Sequence, residues 1–256
     1  MPLTTHWPLN TSFAGVPSLQ ANGSAGLSGD MSPSGVAGRL EIVRDPIGMR
    51  GNVMMSRLYE DDAYSGNGNR SEIADAPSLY DEYWYTWAMM LGDDWGDMSR
   101  QFSLMQLHDT PDGGDGLKTP TFILGTLSGH LRGMVPDATL PAENQVFVRV
   151  GSAGLQAMRW YTCCVHANWK TSGVAGFREL FIDGVPVFRQ YNLVTNYTDV
   201  AAPFLKIGIY NGLNAPAGWG VRTAYYSDMR VWRGSATYEQ GAGRPLVPPA
   251  AVSFAS

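Results

Sequence analysis

Short stretches of alternating polarity, punctuated by Gly, Pro, Asn and Asp, follow one another from about residue 38 to 235, and no sustained helical period interrupts them. About eleven such segments read as strands. They are GRLEIVRD, NVMMSRLYE, EYWYTWAMML, QFSLMQLHD, TFILGTLSG, QVFVRVG, AMRWYTCCVHANWK, GFRELFIDG, VPVFRQYN, FLKIGIYNG and AYYSDMRVWRG. Asp183-Gly184, set between two apolar runs in FIDGVPVF, is a hairpin turn signal. So many short strands without intervening helices predict an all-β protein in which two antiparallel sheets pack as a sandwich. With 256 residues the chain can bury a large single core, and one domain over 38–235 is expected.

Composition agrees. Charged residues make up only 16%, whereas 30 Gly, 8 Trp and 12 Tyr suit strands joined by tight turns. A net charge of -5 and no Lys/Arg cluster argue against nucleic acid as a partner. The same balance disfavours a heavily sulfated ligand. No run approaches the roughly 18 apolar residues needed to span a bilayer as a helix, so no membrane partner is expected. Cys163 and Cys164 are adjacent; on a strand they face opposite sides, which predicts two buried free thiols rather than a disulfide or a metal site.

Three polar stretches stand out from these surroundings: Arg70-Ser71-Glu72-Ile73, Gln106-Leu107-His108 and Lys206-Ile207-Gly208-Ile209-Tyr210. On strands, residues two apart share a face, so Arg70 with Glu72, Gln106 with His108, and Lys206 with Tyr210 can line one groove. In spelling and order these stretches resemble the motifs of the jelly-roll polysaccharide lyases, the group that holds alginate, glucuronan and heparin lyases. LYDEYWYTWAMMLGDDW, FRELFIDGVPVF and AYYSDMRVW extend the likeness over most of the chain. The resemblance implies a concanavalin-like jelly roll and β-eliminative cleavage of a uronate-containing surface polysaccharide.

It also implies roles. Arg70 would pair with the substrate carboxylate through its planar fork, with Gln106 donating to the same group. His108 would take the proton beside that carboxylate, and Tyr210 would serve as acid or as base. Glu72 and Lys206 would complete the binding surface. Two departures weigh against alginate as the substrate. Ala74 stands where many alginate lyases have a second Arg, and Phe204 and Gly212 stand where a Tyr and a Gln are usual.

Tyr83, Tyr85 and Trp87 alternate along one strand, and aromatic faces stack on sugar rings. That row is a candidate binding platform and equally a candidate core. The Gly-rich DTPDGGDG carries Asp109, Asp112 and Asp115; turn chemistry accounts for them, no cofactor is expected, and calcium is the one metal such a loop would suit. His6, His130 and His166 show no partner pattern and read as ordinary histidines.

Residues 1–37, rich in Gly, Ser, Pro and Asn, read as a flexible arm, and 236–256 as an irregular Pro-rich tail. The opening MPLTTHWPLNTSFAG lacks the basic start and apolar core of a signal peptide. Synthesis in the cytoplasm is therefore expected, and secretion only if a signal has been removed. A rival reading follows: a non-enzymatic phage virion protein, a capsid decoration or tail accessory subunit, that uses the sandwich for glycan adhesion and the arm for contacts with other virion subunits.

Overall fold

The alternation of the sequence becomes fourteen strands and one short helix in a computed structural model that describes residues 4–6, 38–63, 68–74, 79–96, 100–110, 112, 118–136, 147–212 and 217–242. The strands are β1 (Thr4–His6), β2 (Leu40–Arg44), β3 (Asn52–Tyr59), β4 (Gly68–Ala74), β5 (Glu82–Leu91), β6 (Phe102–Thr110), β7 (Phe122–Leu127), β8 (His130–Pro136), β9 (Phe147–Gly154), β10 (Trp160–Asn168), β11 (Gly176–Ile182), β12 (Val185–Leu193), β13 (Ala201–Gly212) and β14 (Val221–Arg233). They pair antiparallel into two sheets. An eight-stranded sheet runs β12-β11-β10-β5-β14-β3-β2, with β1 added beside β14, and a six-stranded sheet runs β4-β13-β6-β7-β8-β9. This is the jelly-roll sandwich predicted.

Alternation decides which side chains fill the space between the sheets. From the six-stranded sheet come Ile73, Met105, Leu107, Phe122, Leu124, Leu131, Val135, Leu205, Ile207 and Ile209; from the other come Met54, Tyr85, Trp87, Met89, Cys163, Val165 and Tyr226. Cys164 faces the opposite way, into a second cluster with Trp84, Phe181 and Tyr238, so the adjacent thiols are buried, in no disulfide and on opposite faces. At the β11–β12 hairpin Asp183 and Gly184 both have positive φ, 50° and 80°, the geometry of a two-residue type I′ turn.

Three strands were not among the eleven segments read from alternation: β1 at the amino terminus, β8, and β4, which was placed on a strand only through its Arg70–Glu72 stretch. Of the arm expected over 1–37 only Thr4–His6 belongs to the described residues, paired with Arg230–Trp232 of β14. In the tail expected to be irregular, Tyr238–Ala242 form α1. A reciprocal cap starts it: the Gln240 amide N–H donates to Thr237 Oγ1 (3.4 Å) and the Thr237 N–H to Gln240 Oε1 (3.0 Å). Tyr238 then anchors it against Phe181, ring centroids 4.6 Å apart. Residues 243–256 lie outside the described residues. No described helix is long and apolar enough to cross a membrane.

Candidate active site

Strand pairing assembles the three polar stretches on the face of the six-stranded sheet that points away from the core. β13 lies between β4 and β6, so Lys206 pairs with Ala74 on one side and Gln106 on the other, Gly208 pairs with Glu72, Tyr210 with Arg70, and Phe204 with His108. Directly paired residues share a face. Arg70, Glu72, Gln106, His108, Lys206 and Tyr210 therefore stand together, as the sequence predicted.

Glu72 is the hub. It is fully buried, and so nearly are Gln106 and Lys206 (4% and 3% exposed), while Arg70, His108, Phe204 and Tyr210 form a part-exposed rim. Gln106 Nε2 donates to Glu72 Oε1 at 2.7 Å, whereas Glu72 Oε2 accepts no hydrogen bond from the described residues. Burial pushes the Glu72 carboxyl above its ordinary 4.5, although Lys206, Arg70, the Gln106 bond and His108 all pull it down. Burial likewise lowers the Lys206 ammonium, helped by Arg70 and opposed by Glu72 and Asp109. The amide of Gln106 has two N–H donors; with one held by Glu72, the other has a fixed direction.

His108 tilts against Phe204, centroids 5.4 Å apart. Its Nδ1 lies 3.0 Å from the carbonyl oxygen of Asp109 with hydrogen-bond geometry, and 3.0 Å from Asp109 Oδ1 at ion-pair distance only. A carbonyl can only accept, so Nδ1 carries the proton and Nε2 is left as the basic nitrogen. Arg70 stacks over the Tyr210 ring at 4.9 Å. Burial raises the Tyr210 phenol above its ordinary 10.0 despite Arg70, which keeps it protonated at neutral pH. His108 on β6, opposite Phe204, and Tyr210 on β13 thus bracket the Glu72–Gln106–Lys206 hub.

Between them the floor is Gly208. Its φ is +141°, and a Cβ there would come within 2.1 Å of Ser71 O, so no side chain can fill the space. The register of β13 against β6 shifts at this point. Two residues of the opposite sheet, not singled out in the sequence, hold the irregularity. Ser56 Oγ donates to Ser71 O (2.6 Å) and accepts from Ile209 N (3.1 Å); Tyr226 Oη reaches Leu104 O (3.1 Å) and Gly208 O (3.2 Å). Ser56, next to Arg57, and Tyr226, between Tyr225 and Ser227, carry no local signal of this role.

The aromatic platform is corrected. Tyr83, Tyr85 and Trp87 lie on β5 in the other sheet and are 6%, 1% and 0% exposed in the main core. Trp169 Nε1 donates to Tyr85 Oη at 2.9 Å, so these rings serve packing and present no open face to a sugar. His166 is also not ordinary. Its Nδ1 meets Glu179 Oε2 at 2.7 Å and its Nε2 meets Glu82 Oε1 at 2.9 Å, with Trp84 stacked on the ring at 3.5 Å.

In the Asp loop, Asp109 is buried, Asp112 Oδ1 accepts from Val200 N, and Asp115 lies outside the described residues. Among the described residues no three His, Cys, Asp or Glu side chains are grouped to hold a metal ion. A depression of about 670 Å³ lined by Tyr59, Glu60, Asp61, Gly220 and Val221 lies at the ends of β3 and β14 in the other sheet. There Glu60 is taken up by the N–H groups of Gly218 and Gly220.

A two-sheet jelly roll thus carries buried acid, amide and cationic groups beneath a histidine and a tyrosine on one outer face, and the class of protein it falls in is the polysaccharide lyases. The chain belongs to the polysaccharide lyase family, whose sequence pattern matches residues 12–230. Among solved structures it is similar to an endo-β-1,4-glucuronan lyase from the fungus Trichoderma reesei, with 18% identity, TM-score 0.68, and 86% of this chain and 94% of that one covered. It is also similar to an alginate lyase of polysaccharide lyase family 7 (12% identity, TM-score 0.57, 76% and 84% covered) and to an alginate lyase from Pseudomonas aeruginosa (13% identity, TM-score 0.56, 78% and 87% covered). No curated protein matches the chain in sequence. These comparisons lend no support to a virion subunit or to phage origin.

Proposed function

We propose that the protein cleaves a uronate-containing polysaccharide by β-elimination on the outer face of β4, β13 and β6. The observation that carries this reading is the cluster around Glu72: three buried polar side chains, Glu72 and Gln106 hydrogen-bonded to each other, beneath a basic nitrogen and a protonated phenol. Elimination needs the sugar carboxylate neutralised, the proton on the adjacent C5 removed, and the departing oxygen on C4 protonated. Arg70, Lys206 and the second N–H of Gln106 supply donors to the carboxylate and to the charge that spreads onto it. His108 Nε2 takes the C5 proton, the C5–H electrons become the C4–C5 double bond, and the C4–O bond breaks with its electrons going to oxygen. Tyr210 gives that oxygen its proton. The hollow above Gly208 seats the reacting ring between base and acid.

Ala74 in place of the second arginine, and the glucuronan lyase among the similar structures, make polyglucuronate the first polymer to try. The test is ultraviolet absorbance of the unsaturated uronate product on glucuronan, alginate, heparin and bacterial capsule polymers. A rise on at least one polyuronate is expected; wild-type protein that is silent on all of them overturns the reading.

A further inference from the structure

Beyond the cluster, the same face of the sheet continues to β8. Strand register forms one transverse row: Arg70 pairs with Tyr210, Tyr210 with Ser103, Ser103 with Gly125, and Gly125 with Arg132. The alternation on β8 confirms the face, because Leu131 and Val135 lie in the core and Arg132 between them points the other way. The row thus carries one arginine on β4 and another on β8, and between Tyr210 and Arg132 it is floored by a serine and a glycine before it passes on to β9. A Cβ on Gly125 would lie 2.1 Å from Phe102 O, so this floor stays low.

Arg132 is part-buried. Its Nε is shielded and without a hydrogen-bond partner, and it forms no ion pair, among the described residues. A shielded guanidinium N–H without an acceptor is costly, and a carboxylate is the group whose geometry matches the fork. Resting on the reading of the face as a polyuronate site, we infer that Arg132 forms a distal subsite for a second carboxylate of the same chain. Arg70 and Arg132 are four strand steps apart, about 19 Å at about 4.8 Å per step. A 1,4-linked sugar advances about one strand spacing per ring, so a chain laid across the strands brings the carboxylate about four rings away onto Arg132. A trisaccharide anchored at Arg70 falls short, and a hexasaccharide spans both.

The test compares binding of 1,4-linked uronate tri- and hexasaccharides by calorimetry in the His108→Ala background, with Arg132 intact or changed to Ala or Gln. The hexasaccharide is expected to bind about tenfold tighter than the trisaccharide, the size of one charge-assisted pair of about 1.4 kcal/mol. Either Arg132 change removes that gain and leaves trisaccharide affinity as it was, which also shows the variant is folded. A length gain that survives both changes, or no gain in the parent, overturns the subsite. Turnover of the hexasaccharide by protein with His108 intact is read separately. Binding with the length gain but without turnover sinks the cleavage reading and keeps the subsite; no binding of either oligosaccharide sinks both.

Discussion

Glu72 and Glu179 are both strand glutamates beside a histidine, and the fold treats them in opposite ways. Glu179, on the outer face of the eight-stranded sheet, meets His166 Nδ1 at 2.7 Å and Arg189 Nε at 3.2 Å, and accepts a hydrogen bond from Tyr191. Burial pushes its carboxyl up, but the bonds from His166 and Tyr191 and the charges of His166 and Arg189 outweigh it and hold it below 4.5. Glu72 is buried more deeply, has one hydrogen bond to a neutral amide, and is raised. One carboxylate is spent on its neighbours and locks β11 to β10 and β12. The other, with one oxygen unbonded among the described residues, is kept in reserve beneath an open face, in keeping with its proposed place under the substrate.

The contrast can be broken by mutation. Tyr210→Phe keeps the ring under Arg70 and removes the acid, so elimination should fall by about 10²- to 10⁴-fold with the melting temperature unchanged; an active Phe variant would move the acid elsewhere. Glu179→Gln should lower stability by about 1–3 kcal/mol in denaturant titration, since donors built around a charge lose it, and should leave the rate on polyuronate alone. Glu72→Gln retains an acceptor for Gln106 and removes the reserve charge. The rate is expected to drop about tenfold, one charge-assisted contact's worth, while thermal stability rises at neutral pH. A Gln variant less stable than wild type would place Glu72 with the structural carboxylates.

Acid sharpens the same comparison with a smaller effect. Glu179 is depressed in the folded protein, so its contribution to stability is present above about 4.5 and is lost as pH falls through its folded value. Glu72 is raised, so its ionised form weighs against the fold above its folded value, and acid relieves it. Glu179→Gln should therefore flatten the acid limb of a melting-temperature profile below pH 4.5, and Glu72→Gln should narrow the gap between neutral and mildly acidic stability.

Much of the site was legible because a strand repeats every two residues. Arg-x-Glu, Gln-x-His and Lys-x-Gly-x-Tyr each commit their polar members to one face, whatever the sheet. What alternation does not say is which face looks outward. Tyr83, Tyr85 and Trp87 alternate as a sugar platform would, yet β5 turns them into the core. β8 was missed because His130, Arg132 and Met134 interleave with Gly133 and form no apolar run, although Ser128-Gly129 marks a hairpin before them; both have positive φ. Cross-sheet support of Gly208 by Ser56 and Tyr226 joins residues about 150 and 20 positions apart in the chain, and only tertiary packing brings them together. The role of His166 was hidden for the same reason, since its partners come from β5 and β11.

The most direct test follows the unsaturated product by mass spectrometry with wild type and His108→Ala on polyglucuronate, together with their melting temperatures. Double-bonded uronate termini from wild type, lost in the variant at an unchanged melting temperature, are the result predicted for a face whose base is His108 Nε2. Equal product from both proteins would contradict that assignment, and no product from wild type on any polyuronate would contradict elimination itself.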